Sequence, residues 1–204
     1  MHPNPVFKTA GDERNLGFAL ARGFGMLAVS DPRGGPPLLS HIPFSMSEDG
    51  AALELHLVRS NPIARAVTGT CPARIAVSGP EGYISPDWYG MPDQVPTWNY
   101  VAVHVDGVLE RMEDGALRGV IDRLSAVFEN RLAPKTPWTL EKTDPEITEK
   151  LMRMIVPYRL TITGLDGTWK LSQNKADAAR IGAADGAEET GAGELAALMR
   201  DLPV

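Results

Sequence analysis

With 204 residues, 43% of them hydrophobic, the chain can bury one substantial core, and a single domain is the simplest expectation. Its formal net charge of −6 argues against a general electrostatic grip on nucleic acid, because that affinity comes from Lys and Arg neutralising phosphates. The single cysteine, Cys71, excludes an intrachain disulfide and a multi-cysteine metal site, while no apolar run reaches membrane-span length and the start, Met-His-Pro-Asn-Pro, lacks the pattern of a secretory signal, so a soluble, cytoplasmic protein with no membrane partner is expected.

Asp12 to Ala21 places Leu16, Ala19 and Leu20 at helical spacing with Gly23 as a stop, which predicts a short helix leading into a strand from Phe24 to Ser30. Asp31 to Pro37 has the composition of a loop. Leu38 to Phe44 reads as a second strand, and the alternation of Leu53, Leu55 and Leu57 as a third; the turn Glu48-Asp49-Gly50 predicts that these two form a hairpin. Arg74 to Ser78 is a fourth strand. Further on, Gly115 to Arg131 carries an apolar stripe of Leu117, Val120, Ile121, Leu124, Val127 and Phe128, a packing helix with Asp114 as its expected cap. Asp144-Pro145 starts another helix that ends before Pro157, and Tyr158 to Thr163 returns to strand. Gly182 to Gly193 has the composition of a mobile linker. It precedes a short helix with Leu195, Leu198, Met199 and Leu202 on one face, which must dock somewhere, for example on a partner subunit. The expected organisation is a domain over 1–175, mainly antiparallel β with flanking helices, then a linker and short helix over 176–204. Neither strong helix has the basic character of a DNA-recognition helix.

The stretch from Gly79 to Gly107 gathers Tyr83, Trp88, Tyr89, Trp98 and Tyr100 among Pro80, Pro86, Pro92 and Pro96. Proline fixes φ, so this reads as a stiff, irregular aromatic loop that either lines a ligand or plugs the end of a barrel. After Pro96 comes a strand, Asn99 to Leu109. Val101, Val103 and Val105 fall on one face and Tyr100, Ala102, His104 and Asp106 on the other.

A second informative stretch is His56-Leu57-Val58-Arg59-Ser60-Asn61-Pro62, where a strand ends, Ser60 or Asn61 can act as N-cap and Pro62 suits a first helical turn. With Arg59 and Arg65 beside it, the junction is a candidate anion site; the alternative is an ordinary strand-to-helix turn with surface arginines. Lys170, Ser172, Gln173 and Asn174 read, on the residues alone, as a solvated turn. His2, His41, His56 and His104 show no metal-ligand spacing, so no metal is expected, and no nucleophile with a positioned base is apparent.

Pro96-Thr97-Trp98-Asn99-Tyr100 with Val103-His104, Tyr83-Ile84-Ser85-Pro86-Asp87-Trp88-Tyr89, and Trp169-Lys170-Leu171-Ser172-Gln173-Asn174 resemble the signature blocks of the PaiB-type FMN-binding negative transcriptional regulators, and the resemblance runs from about Pro5 to Asn174. It implies a Greek-key-like FMN-binding split β-barrel that holds FMN between two subunits of a homodimer. It further implies that Arg59, Ser60 and Asn61, with His56 nearby, bind the FMN phosphate. Ser40, His41, Trp98, Asn99 and Tyr100 then surround the ring, and Lys170, Ser172, Gln173 and Asn174 reach phosphate, ribityl hydroxyls or the partner's site. An asparagine can bond the ring's imide edge in both directions. Val58 and Ala64 stand where the family pattern has Ala and Trp, which removes an aromatic wall, and Asp93 stands where a basic residue is expected.

Three functions follow from that resemblance and the residues. The first is a negative transcriptional regulator that uses flavin as cofactor or sensor, with direct DNA contact disfavoured by the acidic chain. The others are a flavin-dependent oxidoreductase, and a haem-binding split barrel using His41 or His104.

Overall fold

Strands dominate the chain between Phe24 and Lys170, and the three longest run well beyond the lengths that the sequence pattern implies. The computed structural model describes residues 1–202. Its strands are β1 (Phe24–Val29), β2 (Leu38–Pro43), β3 (Ser45–Met46), β4 (Ala52–Val58), β5 (Thr70–Ile84), β6 (Thr97–Arg111) and β7 (Ile155–Lys170). Its helices are α1 (Asp12–Arg22), α2 (Pro62–Ala66), α3 (Leu117–Asn130), α4 (Pro145–Met152), α5 (Asp177–Glu189) and α6 (Gly193–Arg200). The strands form one seven-stranded antiparallel sheet in the order β2-β1-β5-β6-β7-β4-β3. The chain divides into two compact units, one made of Met1–Phe18, Val77–His104 and Leu165–Val204, the other of Ala19–Ala76 and Val105–Gly164. Strands β5, β6 and β7 contribute residues to both.

In the second unit β1 lies between β2 and the start of β5, with Leu27 opposite Ser40 on one side and Ile75 on the other. The hairpin across Glu48-Asp49-Gly50 is made by β3 and β4, not by β2 and β4 as the pattern predicts. Proline at Pro43 has no N–H to continue the ladder, so β2 ends there and the chain restarts as β3. Asp49 closes the turn by accepting from the Ser47 hydroxyl and from the Ala51 N–H. Strand β4 also buries Glu54, because Arg123 of α3 covers it with two parallel bonds of 2.8 and 3.0 Å. Asp144 caps α4 as expected, accepting from Glu146 N–H and Ile147 N–H. Asp114 does not cap α3. A short 3-10 turn, Asp114–Ala116, precedes that helix, and the Asp114 carboxylate instead takes Arg59 and Arg111.

In the first unit Ile84, Val101, Trp169 and Leu171 pack with the inner faces of α5 and α6. Gly79 to Ile84 continue β5 rather than forming a loop, so the irregular aromatic stretch begins only at Ser85. The predicted linker is also corrected: α5 runs through it to Glu189. Its glycines are positions of close packing, since a Cβ on Gly182 would meet the Trp88 carbonyl and one on Gly186 would overlap the Trp88 indole. The last helix docks on its own chain, with Leu195, Ala196 and Met199 fully buried. Alanine and glycine on one face of α5 let that helix approach closely, which is how a sequence poor in large apolar residues still builds a core. Among the described residues no helix is long and apolar enough to cross a membrane.

Candidate functional site

Strand β6 alternates faces, and Asn99 shares its parity with Val101, Val103 and Val105. The strand therefore carries an amide into the interior, where Asn99 has 0% exposure. Its Nδ2 donates to the Ser172 hydroxyl at 2.8 Å and lies 3.4 Å from Met199 Sδ. The Tyr89 hydroxyl shares the same Ser172 oxygen at 2.9 Å. Asn99 Oδ1 has no partner among the described residues. Leaving such an acceptor buried and unmade costs about 1–3 kcal/mol, so it is a place where a donor from a ligand would be favoured.

Ser172 is itself unusual. It is 3% exposed and has φ of 61°, a left-handed backbone that costs a non-glycine residue on the order of 1–3 kcal/mol. The side chain of Gln173 stabilises this bend: its Oε1 accepts from Leu171 N–H, and its Nε2 donates to the carbonyls of Val6 and Trp169. Gln173 is thus a latch on the backbone.

Asn99 and Ser172 border a cleft of about 310 Å³ within the first unit, together with Phe7, Tyr89, Asp93, Gln94, Val95, Thr97, Lys170, Asn174 and Lys175. Lys170 Nζ donates to the Thr97 hydroxyl, and burial pushes its pKa below the ordinary lysine value. Lys175 Nζ donates to Gln94 Oε1 and sits 5.2 Å from the centre of the Tyr89 ring. Neither lysine is ion-paired among the described residues. A buried acceptor, two cations bonded to neutral oxygens and two aromatic rings fit a planar ligand with N–H or hydroxyl donors and an anionic group. A phosphorylated flavin has all of these.

The remaining sequence-predicted residues are placed differently. Trp98 and Tyr100 alternate with Asn99 along β6, and Trp98 is 55% exposed with its ring edge-on to Tyr83. The second unit holds the other cluster. Asn61 caps α2 as expected, accepting from Ile63 N–H at 2.9 Å, while its Nδ2 donates to Ser40 Oγ at 3.0 Å. Arg59 Nε donates to the Arg153 carbonyl at 2.7 Å, and its Nη2 reaches Asp114 Oδ2 at 2.8 Å, which holds the Asp114 carboxyl below the usual range. Ser60 is exposed. His41 is exposed and stacks on Phe24, whereas His56 is half-buried with an unpartnered Nδ1, and burial lowers its pKa. The predicted residues therefore form two clusters, one in each unit. The sequence reading missed Lys175, Thr97, Gln94 and Tyr89 as site residues; Thr97 and Tyr89 lie inside the quoted blocks and were within reach, whereas Gln94 and Lys175 lie outside them. Among the described residues no group of His, Cys, Asp and Glu is arranged to hold a metal ion.

Comparison with known proteins places the chain in a family. A family model described as "Putative FMN-binding domain" matches residues 1–164. The chain is 26% identical over 206 residues to the Protease synthase and sporulation protein PAI 2 of Bacillus subtilis, covering 98% of this chain and 97% of that protein. Among solved structures it is similar to a conserved hypothetical protein from Mycobacterium tuberculosis, with TM-score 0.59, 15% identity, and coverage of 86% of this chain and 94% of that one. It is also similar to an FAD and heme binding protein from Mycobacterium smegmatis, with TM-score 0.57, 20% identity, and coverage of 80% and 73%. The fold is the split β-barrel expected from the signature blocks. The chain belongs to the FMN-binding split-barrel family of PaiB type.

Proposed function

We propose that the protein binds FMN in the first-unit cleft and acts in the cytoplasm, as a homodimer, as a negative transcriptional regulator whose sensed ligand is the flavin. The observation that carries the flavin part is the buried Asn99 Oδ1 without a donor, fixed by Ser172 at the edge of that cleft. A flavin offers an imide N–H and ribityl hydroxyls as donors. When bound, it supplies hydride and electron chemistry, and the protein's part is to position it and tune its surroundings. Asn99 accepts from the ligand, Ser172 and Met199 hold the amide in place, and Tyr89 and Phe7 exclude water from the walls. Resemblance alone assigns Ser40, His41, His56, Arg59, Ser60 and Asn61 of the second unit to the same ligand.

The homodimer reading is supported by exposed apolar residues close together in sequence, Tyr83, Met91, Val95 and Trp98, which a second copy can cover. The regulatory reading rests on the resemblance of the signature blocks to the PaiB-type negative transcriptional regulators. Charge argues against a general electrostatic grip on DNA, so promoter recognition by this chain runs through specific contacts and not a broad basic face. The first unit has six Lys and Arg against twelve Asp and Glu, and the second has fourteen of each. The test is flavin uptake by the purified chain, followed by promoter-DNA retention with and without FMN. Uptake with FMN-dependent retention is expected for the regulator. Uptake with rapid bleaching by NADH or NADPH, and no DNA effect, would replace it with an oxidoreductase.

A further inference from the structure

In the second unit, helix α4 stands over an unfilled space. None of its residues is buried, and its large aliphatic side chains Ile147 and Leu151 lie exposed, so the helix does not close the gap beneath it with its own apolar groups. The cavity between α3, the 3-10 turn Leu140–Lys142 and α4 measures about 530 Å³, within the range of small-molecule sites. Leu140, Pro145 and Met152 give it an apolar lining. Thr148 lines it too, and its Oγ1 is buried with no hydrogen-bond partner among the described residues. A helical threonine can satisfy this hydroxyl on the carbonyl one turn back, and Thr148 does not. A buried hydroxyl left unmade is unfavourable until a partner arrives.

Three charged residues border this cavity, and two are already paired. Arg118 bonds Asp122 at 3.0 Å and Glu149 bonds Arg153 at 3.1 Å, each one turn along its own helix. Glu141 forms no ion pair among the described residues, and Lys142 beside it donates to the Pro137 carbonyl instead. The uncommitted charge at the cavity is therefore negative. A hydroxyl can accept as well as donate, so Thr148 suits an incoming N–H, while Glu141 sets the sign of the group that carries it. We propose that this cavity is a second ligand site, for an amphipathic amine: a small molecule whose apolar body lies against Leu140, Pro145 and Met152 and whose protonated nitrogen is held by Glu141 and Thr148. The site belongs to the second unit alone, uses none of the residues assigned to the flavin, and stands independently of the flavin-binding reading.

The experiment is calorimetric titration of the full chain with n-octylammonium, n-octanoate and n-octanol, which have similar apolar bodies and different head groups. Wild type is compared with Glu141→Gln, Thr148→Val and Met152→Trp, each first shown to be folded by circular dichroism. Wild type is expected to bind octylammonium with a Kd of about 1 mM or tighter, within reach of a ligand of that size. Octanoate should bind at least about tenfold more weakly, the scale of one charge-assisted contact. Glu141→Gln should weaken octylammonium about tenfold and leave octanol within about twofold. Thr148→Val should weaken octylammonium about threefold or more, and should raise the urea midpoint of the empty chain because the unmade hydroxyl is gone. Met152→Trp, which fills the cavity, should abolish binding, and saturating FMN should leave it unchanged. Octylammonium binding weaker than about 10 mM in wild type, octanoate bound as tightly as octylammonium, full affinity in Glu141→Gln, Thr148→Val or Met152→Trp, or displacement by FMN would overturn the proposal.

Discussion

Asn99 and Ser172, 73 residues apart in sequence, are joined side chain to side chain at 2.8 Å in the interior, and the bond leaves the other end of the Asn99 amide without a partner. Ser172 accepts from Asn99 and also shares its hydroxyl with Tyr89, so one strained residue fixes two others at the cleft. Polar groups gathered without full satisfaction are uncommon in a folded interior, and they concentrate at binding sites.

Ser172→Ala should lower stability by about 1–3 kcal/mol, because Asn99 Nδ2 and the Tyr89 hydroxyl lose their shared partner while the left-handed backbone remains. Ser172→Gly loses the same hydroxyl but suits φ of 61°, so it should be more stable than Ser172→Ala by about 1 kcal/mol. Urea denaturation of the three chains measures the order. An alanine variant as stable as the glycine one would show that the backbone at this position is not strained.

Gly186→Ala should destabilise the first unit by about 1–3 kcal/mol, the usual cost of forcing extra volume into a packed contact, because its Cβ would overlap the Trp88 indole. Trp88→Leu in the same chain should recover part of the loss, giving a coupling between the two sites in a double-mutant cycle. Additive effects would mean that helix α5 does not rest on Trp88.

Removing the Arg59 guanidinium should return the Asp114 carboxyl toward its ordinary pKa of 3.8, since the hydrogen bond from Arg59 is the main cause of its lowering. NMR titration of Asp114 in wild type and Arg59→Ala reads the shift. A carboxyl held as low in the variant as in wild type would assign the lowering to Arg111 or another neighbour.

Burial lowers the His56 pKa from its ordinary value of 6.5, so the unfolded chain takes up this proton more readily than the folded one. The contribution of His56 is therefore intact above pH 6.5, is lost as pH falls through that value, and levels off below the lowered folded value. Chemical denaturation at pH 8 and pH 5 should show a larger loss for wild type than for His56→Gln. Equal losses would place the acid sensitivity elsewhere.

The architecture was legible where chemistry is local. Asp144-Pro145 announced α4, Asn61-Pro62 announced α2, and the valines of β6 announced a buried face. That same alternation already placed Asn99 with Val101, so a buried amide was within reach of the sequence. Long-range contacts were not. The glycines of α5 look like a linker until Trp88 is found against them, and the strain at Ser172 depends on Gln173 reaching the Val6 carbonyl. Lys175 carries no local signal at all, because its bond is to Gln94, 81 residues earlier. The Arg59 junction is a strand-to-helix turn as expected, while its ion pair with Asp114, a partner 55 residues away, carries no local signal.

The most direct test of the cleft assignment is a visible absorption and fluorescence titration of purified wild type and Asn99→Ala with FMN. Wild type should shift the flavin bands and quench the fluorescence, and Asn99→Ala should bind FMN and riboflavin more weakly by a similar factor, about 1–3 kcal/mol in each case. Flavin that keeps its free-solution spectrum in the presence of wild type, or that binds Asn99→Ala as tightly as wild type, would contradict the account.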